Sequence, residues 1–428
     1  MGRSYLSSVR LSSPRSIFAA TQHRDFRLFL IGQFISLCGT WIQTVAQGWL
    51  VLQLTNSAFA VGLVTALGAL PILLLTLYGG VLADRVNKRK AVLLLQSLMV
   101  IDGLALGILT WLHLVTVHWV MGLAVFFGTL SAFEVPMRQS LIAHIVPRKD
   151  LLNAIALGSS AFNVARVIGP AIAGVLIATV GLAACFLVNA ASYLAVITGL
   201  LLMKTDTPPA TSSVPHMQAL REGFRYIFGN PWPRALITIV ACFAVFGFSF
   251  MTMMPVFARD VLGLDASGYG AMVSSVGVGA ATAALFMAAA GGRVPQPLLV
   301  LGSAVAFGLI LTAAALSPGF RSAAVLFTLA GCVMALNGIA ANNMLQVQAP
   351  DELRGRVMGF YSFVVLGMTP FGSFQAGWVA EHFGVRAALG IGGLVCFVVA
   401  AVITWRMWGI RVVDRELPPR RPPAEGVA

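Results

Sequence analysis

Charge is what this chain has least of. Asp, Glu, Lys and Arg together make up 10% of its 428 residues, where an ordinary water-soluble domain carries about 25%. With 58% of residues hydrophobic and a mean hydropathy of +0.88, so few charges could not cover the apolar surface of a fold this size in water. A bilayer is therefore the expected solvent for most of the chain. Cysteine is also sparse. Cys38, Cys185, Cys242, Cys332 and Cys396 all fall inside apolar runs without C-x-x-C pairing, which makes them small core hydrophobes and supplies no disulfide or metal framework. No G-x4-G-K-[ST] loop occurs, so no ATP-driven motor is encoded. His113, His118, His144, His216 and His382 show no spacing that joins Ser, Asp or Cys into a catalytic or metal-binding set. Neither an enzyme nor a cofactor is expected.

What the chain has is long apolar runs. About twelve approach or exceed the roughly 20 residues that cross a bilayer as a helix: 26–52, 59–83, 91–112, 118–135, 153–180 and 182–203, then 234–257, 267–290, 297–316, 322–347, 357–380 and 385–407. The expected fold is all-α and membrane-embedded. A segment at 1–25 precedes a first six-helix bundle at 26–203. A linker at 204–233 leads to a second bundle at 234–408, and a tail at 409–428 is expected to be disordered. The first run is too long for a signal-peptide core and lacks a small-residue cleavage site, so it reads as a retained span. Within the linker, Met217, Leu220, Phe224, Ile227 and Phe228 recur at helical spacing opposite Arg221, Glu222 and Arg225, the pattern of an amphipathic helix on a membrane surface.

The basic residues set the orientation. Net charge is +13, but the cations lie in short segments between apolar runs, not on one face that nucleic acid could use. With the N-terminus in the cytoplasm and alternating spans, Arg259, Arg321 and Arg386 fall outside and Arg166 falls within a span. Of 28 Lys and Arg, the other 24 are cytoplasmic, which the positive-inside bias favours. Both termini are then cytoplasmic. A weak internal repeat supports two halves. Pro147 aligns with Pro350 at an offset of 203 (350 − 147), and the same offset pairs Gly169 with Gly372 and Gly174 with Gly377.

Polar residues inside spans are costly in lipid and face a cavity or a partner helix. Gln33, Ser36, Thr40, Gln43 and Gln47 recur at steps of three and four, one stripe of the first helix flanked by Trp41 and Thr44. The stripe reads as a polar cavity wall, or else as a helix–helix hydrogen-bonding face. Asp102 and Glu134 are candidate proton carriers, with a structural hydrogen bond as the alternative for Asp102. Phe246, Phe250 and Met254 in the seventh span suit a bulky amphipathic ligand, and Asn337 in the tenth could add a polar contact from the second half.

The segment Gly80-Val-Leu-Ala-Asp84-Arg85-Val-Asn87-Lys-Arg89-Lys resembles the loop signature of the major facilitator superfamily, G-x-L-a-D-r-x-G-r-[RK]. Asn87 stands where the family usually has Gly, which Asn can replace because it tolerates φ > 0. The resemblance implies two six-helix bundles, related by a pseudo-two-fold axis along the membrane normal, that alternate access to a midplane site. It also implies that Asp84 joins a charge network holding the halves together in one state. Glu134 and Arg138, four apart on one helix face, are its expected partners. Asp84, Arg85, Arg89, Glu134 and Arg138 would form a conformational latch; the alternative is plain topological anchoring.

The fifth span, from Ala165 and Arg166 through Gly169-Pro170 to Ala173-Gly174, is similar to the family's antiporter motif G-x3-G-P-x2-G-G. Ala165 and Ala173 replace two glycines. That motif is associated with export. Pro136-x-Arg138, Val146-Pro147, Leu152-Asn153-Ala154 and Asn163-x2-Arg166-x2-Gly169-Pro170, with Pro350-Asp351-Glu352-Leu353-Arg354 in the second half, resemble the bacterial subgroup that contains the enterobactin exporter, also called transmembrane secretion effectors. The resemblance covers most of residues 24–408. It implies a proton-coupled exporter of a small amphipathic substrate (a drug, a siderophore or a secreted metabolite) in a bacterial inner membrane, driven by the proton gradient. One chain supplies both halves, so a monomer is expected. Uptake by symport is the alternative within the fold, and a non-transporting receptor or scaffold is the alternative outside it.

Overall fold

A computed structural model describes residues 18–205, 216–290, 294–350 and 353–411; the side chains of Leu77, Asp84, 216–220 and 408–411 lie outside that description. The tail and most of the polar stretch at 205–213 fall there too. Among the described residues there are twelve helices long and apolar enough to cross a membrane, and no strands. In the first half these are α1 (Arg24–Thr55), α2 (Ala58–Arg85), α3 (Lys88–Trp111), α4 (Val117–Ile145), α5 (Leu151–Thr179) and α6 (Leu182–Leu202). In the second they are α7 (Pro231–Val261), α8 (Ala266–Ala290), α9 (Gln296–Ala315), α10 (Phe320–Gln348), α11 (Arg354–Phe383) and α12 (Val385–Arg411). Because an even number of spans alternates, the linker and both ends of the chain share one end of the bundle, the terminal end. The other is the far end.

Several helices run past their apolar stretches. α4 continues to Ile145, ten residues beyond 135, because hydropathy falls at the first charges while backbone hydrogen bonding does not. Local chemistry sets the ends. Asn56 takes the left-handed conformation (φ 50°) and returns its N–H to Leu52, closing α1. The Ser57 hydroxyl then accepts from the Ala60 N–H at 3.1 Å and opens α2. Asn87 is not the positive-φ residue its alignment with a family glycine suggested. Its φ is −69°, and its side chain caps α3 by accepting from the Lys90 N–H at 3.1 Å, a role glycine cannot fill.

The halves repeat one packing scheme. α2 packs on α4 as α8 packs on α10, and α3 packs on α6 as α9 packs on α12. The offset of 203 is visible in the geometry. Gly181 before α6 and Gly384 before α12 (384 − 181 = 203) both take positive φ, 97° and 84°. Gly169 lies against Cys38 and Trp41 of α1, and Gly372 lies against Ala244 and Val245 of α7. The halves meet along two lines, α5 with α8 and α2 with α11. The linker helix, His216–Gly229, docks on the second half. Glu222 pairs with Arg356, and Phe224 and Phe228 lie 5.8 and 6.4 Å from the Phe360 ring. Its apolar face therefore meets α11, not lipid alone.

Candidate functional site

The two inter-half lines depend on missing side chains. A Cβ on Gly270 would sit 2.5 Å from the Pro170 carbonyl oxygen and 2.9 Å from the Gly174 Cα; a Cβ on Gly62 would sit 2.5 Å from the Ser373 carbonyl and 2.8 Å from the Gly377 Cα. Small residues let helix backbones touch in lipid. Pro170 and Gly174 of the antiporter-like segment thus form half of the α5–α8 contact, while Gly169 packs within its own half. The Ser274 hydroxyl crosses this line to the Val167 carbonyl at 3.0 Å.

Toward the far end the contacts tighten into a clasp. Glu381 of α11 accepts from the Ser57 hydroxyl and the Phe59 N–H, both at 3.0 Å. It places an anion at the N-terminus of α2, where the helix dipole favours one. Arg259 of α7 donates to the Asn56 side-chain oxygen at 2.9 Å and the Leu52 carbonyl at 3.3 Å. It places a cation at the C-terminus of α1. Two opposite charges from the second half thus hold both sides of the α1–α2 turn. Trp49 stacks on Tyr269 of α8 (5.7 Å, 17°), and Phe59 meets Phe374 of α11 edge-on (5.4 Å, 75°). Beside the clasp a hollow of about 500 Å³ is lined by Asn56, Asp260, Glu381 and Arg386. Asp265 caps α8 at this end. The Ser267 hydroxyl, then the Gly268 N–H, hold its carboxyl below the usual carboxylate range.

All described hydrogen bonds between the halves lie at the far end or near mid-membrane. At the terminal end Leu152 and Val347 stand 82% and 83% exposed. Between these levels lies a cavity of about 340 Å³, walled by α1, α2, α4, α7, α8 and α11. α1 contributes Trp41, Thr44 and Gln47. The α7 wall runs from Ala244 to Pro255, framed by two π-helical segments, Phe243–Gly247 and Phe257–Val261. π-helical turns of this kind re-aim side chains and are common at functional sites.

The structure places the residues singled out in the sequence as follows. Of the polar stripe, only Gln47, with the flanking Trp41 and Thr44, reaches the cavity. Gln33 and Gln43 are buried, and the Thr40 hydroxyl donates to its own helix at Ser36. Gln43 accepts from Asn189 of α6 at 2.6 Å, so this part of the stripe is a helix–helix face. A spacing of three and four fixes a face but not the neighbour it meets. Phe250 and Met254 are fully buried in the second half, Phe250 stacked on Phe327 at 5.7 Å. Phe246 packs against that core and not in the cavity wall. Asn337 is spent on α9, donating to the Val300 carbonyl at 2.8 Å and to Ser303 at 3.2 Å.

The charged candidates separate as well. The Asp84 side chain lies outside the described residues. Arg85 is exposed, and Arg89 donates to the Leu200 and Leu201 carbonyls at 2.7 and 3.1 Å, capping α6 within its own half. Glu134 is held by Arg138 at 2.9 Å and by Gln96 at 3.3 Å. Arg166 reaches Asn163 at 3.3 Å, and its Nε has no partner among the described residues. α5 supplies no side chain to the cavity. Asp102 is 1% exposed, lies within hydrogen-bonding reach of Gln43, and leaves its Oδ1 without a partner. It is the buried end of a polar chain running through Gln43 and Asn189 to Tyr193.

The same architecture recurs among solved transporters. A bacterial homologue of the human lysosomal transporter Spinster, in an inward-facing and unoccupied conformation, superposes with a TM-score of 0.73 at 16% identity, covering 95% of this chain and all of that one. The nucleoside transporter NupG gives 0.73 at 13% identity, over 89% of this chain and 99% of that one. Among curated proteins, the staphyloferrin A transporter of Staphylococcus aureus is 26% identical over 86% of this chain and 92% of its own length. The multidrug efflux pump Tap of Mycolicibacterium fortuitum is 26% identical over 90% and 96%. The enterobactin exporter EntS of Shigella flexneri is 26% identical over 79% and 81%. Residues 15–423 match the family model described as transmembrane secretion effector, and the chain, a multi-pass membrane protein of the major facilitator fold, belongs to that family.

Proposed function

We propose that this protein is a secondary active exporter of a bacterial inner membrane, exchanging small amphipathic molecules such as drugs, siderophores or secreted metabolites for protons. The terminal end faces the cytoplasm. The observation that carries the reading is the central cavity, sealed by the Arg259–Glu381 clasp at one end with no described hydrogen bond between the halves at the other. In that arrangement substrate enters from the cytoplasm. Rocking the halves about the cavity breaks the clasp and opens the far side. The relatives that carry siderophores or drugs support the direction and the substrate range.

Asp102 is the better placed of the two carboxyls to carry the proton. Glu134 already has a guanidinium and an amide on it, whereas Asp102 has an orphan oxygen and no cation. Protonation removes the cost of burying its charge. Gln43 ties Asp102 to the helix that also carries Gln47 on the cavity wall, so α1 links proton and substrate. The latch role of Asp84, Arg85, Arg89, Glu134 and Arg138 belongs to the state in which the terminal end closes. The test is flux into inverted membrane vesicles under an imposed ΔpH across a broad substrate panel. Accumulation that collapses with the gradient is expected; gradient-independent flux, or none, refutes the reading.

A further inference from the structure

The cavity wall has a chemistry of its own. Among the described residues none of its side chains is charged, although they come from six helices. Its polar atoms are almost all hydroxyls, and most of their protons are already committed. Thr44 donates to Thr40 at 2.8 Å, Thr65 to Val61 and Ser249 to Phe246, each at 2.9 Å, and Thr252 of α7 and Ser373 of α11 share a bond of 3.1 Å within the second half. What such hydroxyls present to a ligand is lone pairs. Gln47 is an amide with no hydrogen-bond partner among the described residues, offering donor and acceptor together, and the Tyr269 hydroxyl and the Trp41 indole N–H are the other uncommitted donors of the wall. Trp41, Phe127, Phe248 and Met251 supply flat and soft apolar surface. At about 340 Å³, the space lies at the small end of the roughly 300–1,000 Å³ range of drug-sized sites.

We infer that the cavity selects uncharged molecules: compact, largely aromatic or aliphatic, and carrying O–H or N–H donors, with Gln47 as the orienting contact. The inference rests on the export reading for the identity of the site and narrows its substrate class. An ion entering this wall sheds water and meets no opposite charge, and an unpaired buried charge is strongly disfavoured. Arg166, the one cation near the middle of a first-half span among the described residues, sits on the helix that gives the wall nothing. A neutral donor-bearing molecule instead finds acceptors on α1, α2, α7 and α11. Specificity is then set by what the site refuses.

The test uses three dyes with the purified full-length protein in lipid nanodiscs. N-phenyl-1-naphthylamine is neutral with an N–H donor, 8-anilino-1-naphthalenesulfonate is the same diarylamine with an anion added, and ethidium is a cation. Binding is read as saturable energy transfer from protein tryptophan to the dye, which Trp41→Phe should lower. The neutral dye is expected to bind at least about tenfold more tightly than either ion. Gln47→Glu, nearly isosteric, should raise ethidium affinity about tenfold by giving the cation a partner; Thr65→Glu is the second variant for the same gain. Either ion binding the wild type as tightly as the neutral dye, or no saturable binding of the neutral dye, overturns the inference. Flux in inverted vesicles separates it from the export reading. Neutral dye that binds but is not pumped sinks export alone, while ethidium pumped in preference to the neutral dye sinks the neutral cavity alone.

Discussion

Removing the far-end clasp should open the far end. Glu381 makes two charge-assisted hydrogen bonds at a helix N-terminus. Such bonds contribute about 1.5–3 kcal/mol where shielded, and an anion at a helix start about 0.3–1 kcal/mol. Glu381 is exposed, so solvent screening reduces the sum to about 1–1.5 kcal/mol. Arg259 is three-quarters buried and contributes about the same. Both hold one turn, so they couple and the pair is worth less than twice either. Because these bonds exist only while the far end is closed, Glu381→Gln with Arg259→Gln should raise the ratio of far-end-open to far-end-closed molecules about tenfold or more, at 1.4 kcal/mol per factor of ten. Spin labels at Leu114 and Leu316, both exposed and at the far ends of α3 and α9, read that ratio as the weight of the long-distance population. An unchanged distribution in the double variant would show that the clasp decorates the closed state without holding it.

The remaining predictions use the same or simpler readouts. Gly270→Val drives a side chain into the Pro170 carbonyl; it should shift the spin-label distances toward the far-end-open state, with expression retained, and a wild-type distribution would remove the α5–α8 contact from the switch. Asp102→Asn should abolish ΔpH-driven accumulation in inverted vesicles while substrate exchange at equal pH persists. Glu134→Gln should keep the ΔpH response, yet cost about 1–2 kcal/mol of stability by stranding Arg138, read as a lower melting temperature. If instead Glu134→Gln alone uncouples transport, the roles of the two carboxyls are reversed. Asp84→Asn should lower turnover and change cysteine accessibility at the cavity mouth at near-normal expression; no change in either sinks the latch.

Twelve spans and two halves were legible because lipid imposes them: an apolar run of some 20 residues has few other fates, and the 203-residue offset reaches from Pro147 to the positive-φ glycines 181 and 384. Which way each side chain faces was far less legible. Phe250 and Met254 are apolar like lipid-facing and cavity-facing residues alike, so composition could not place them in the core of the second half. Asn337 was visible as a polar group in a span, but its partner is a backbone carbonyl of α9, which no side-chain pattern announces. The clasp was missed for an instructive reason. The positive-inside pattern shows Arg259 and Arg386 only as cations outside it, yet both cap helix C-termini, Arg259 on α1 and Arg386 on α9 through the Ala315 carbonyl at 3.2 Å. A cation that departs from the expected charge bias is a signal that something there requires it.

On the proposed latch role of Asp84, α2 carries both ends of the switch. Its first turn is held by Glu381, and its last turn carries Asp84, 27 residues and about 40 Å away at 1.5 Å per residue. A carrier that alternates needs its two closed states within a few kcal/mol of each other, or one would never be populated. The bonds lost at one end must therefore be offset by bonds gained at the other. This gives the latch and the clasp opposite signs in one equilibrium. Asp84→Asn should favour the far-end-closed state, and Glu381→Gln the far-end-open state. Sites this far apart add independently, so combining the two should return the Leu114–Leu316 distance distribution most of the way to wild type, even though each bond is gone. Turnover in the double variant should exceed that of the worse single variant, because the balance and not the strength of either contact sets the rate of alternation. A double variant that behaves like Asp84→Asn alone would mean that the two ends of α2 do not oppose each other, and that the helix is not the lever between them.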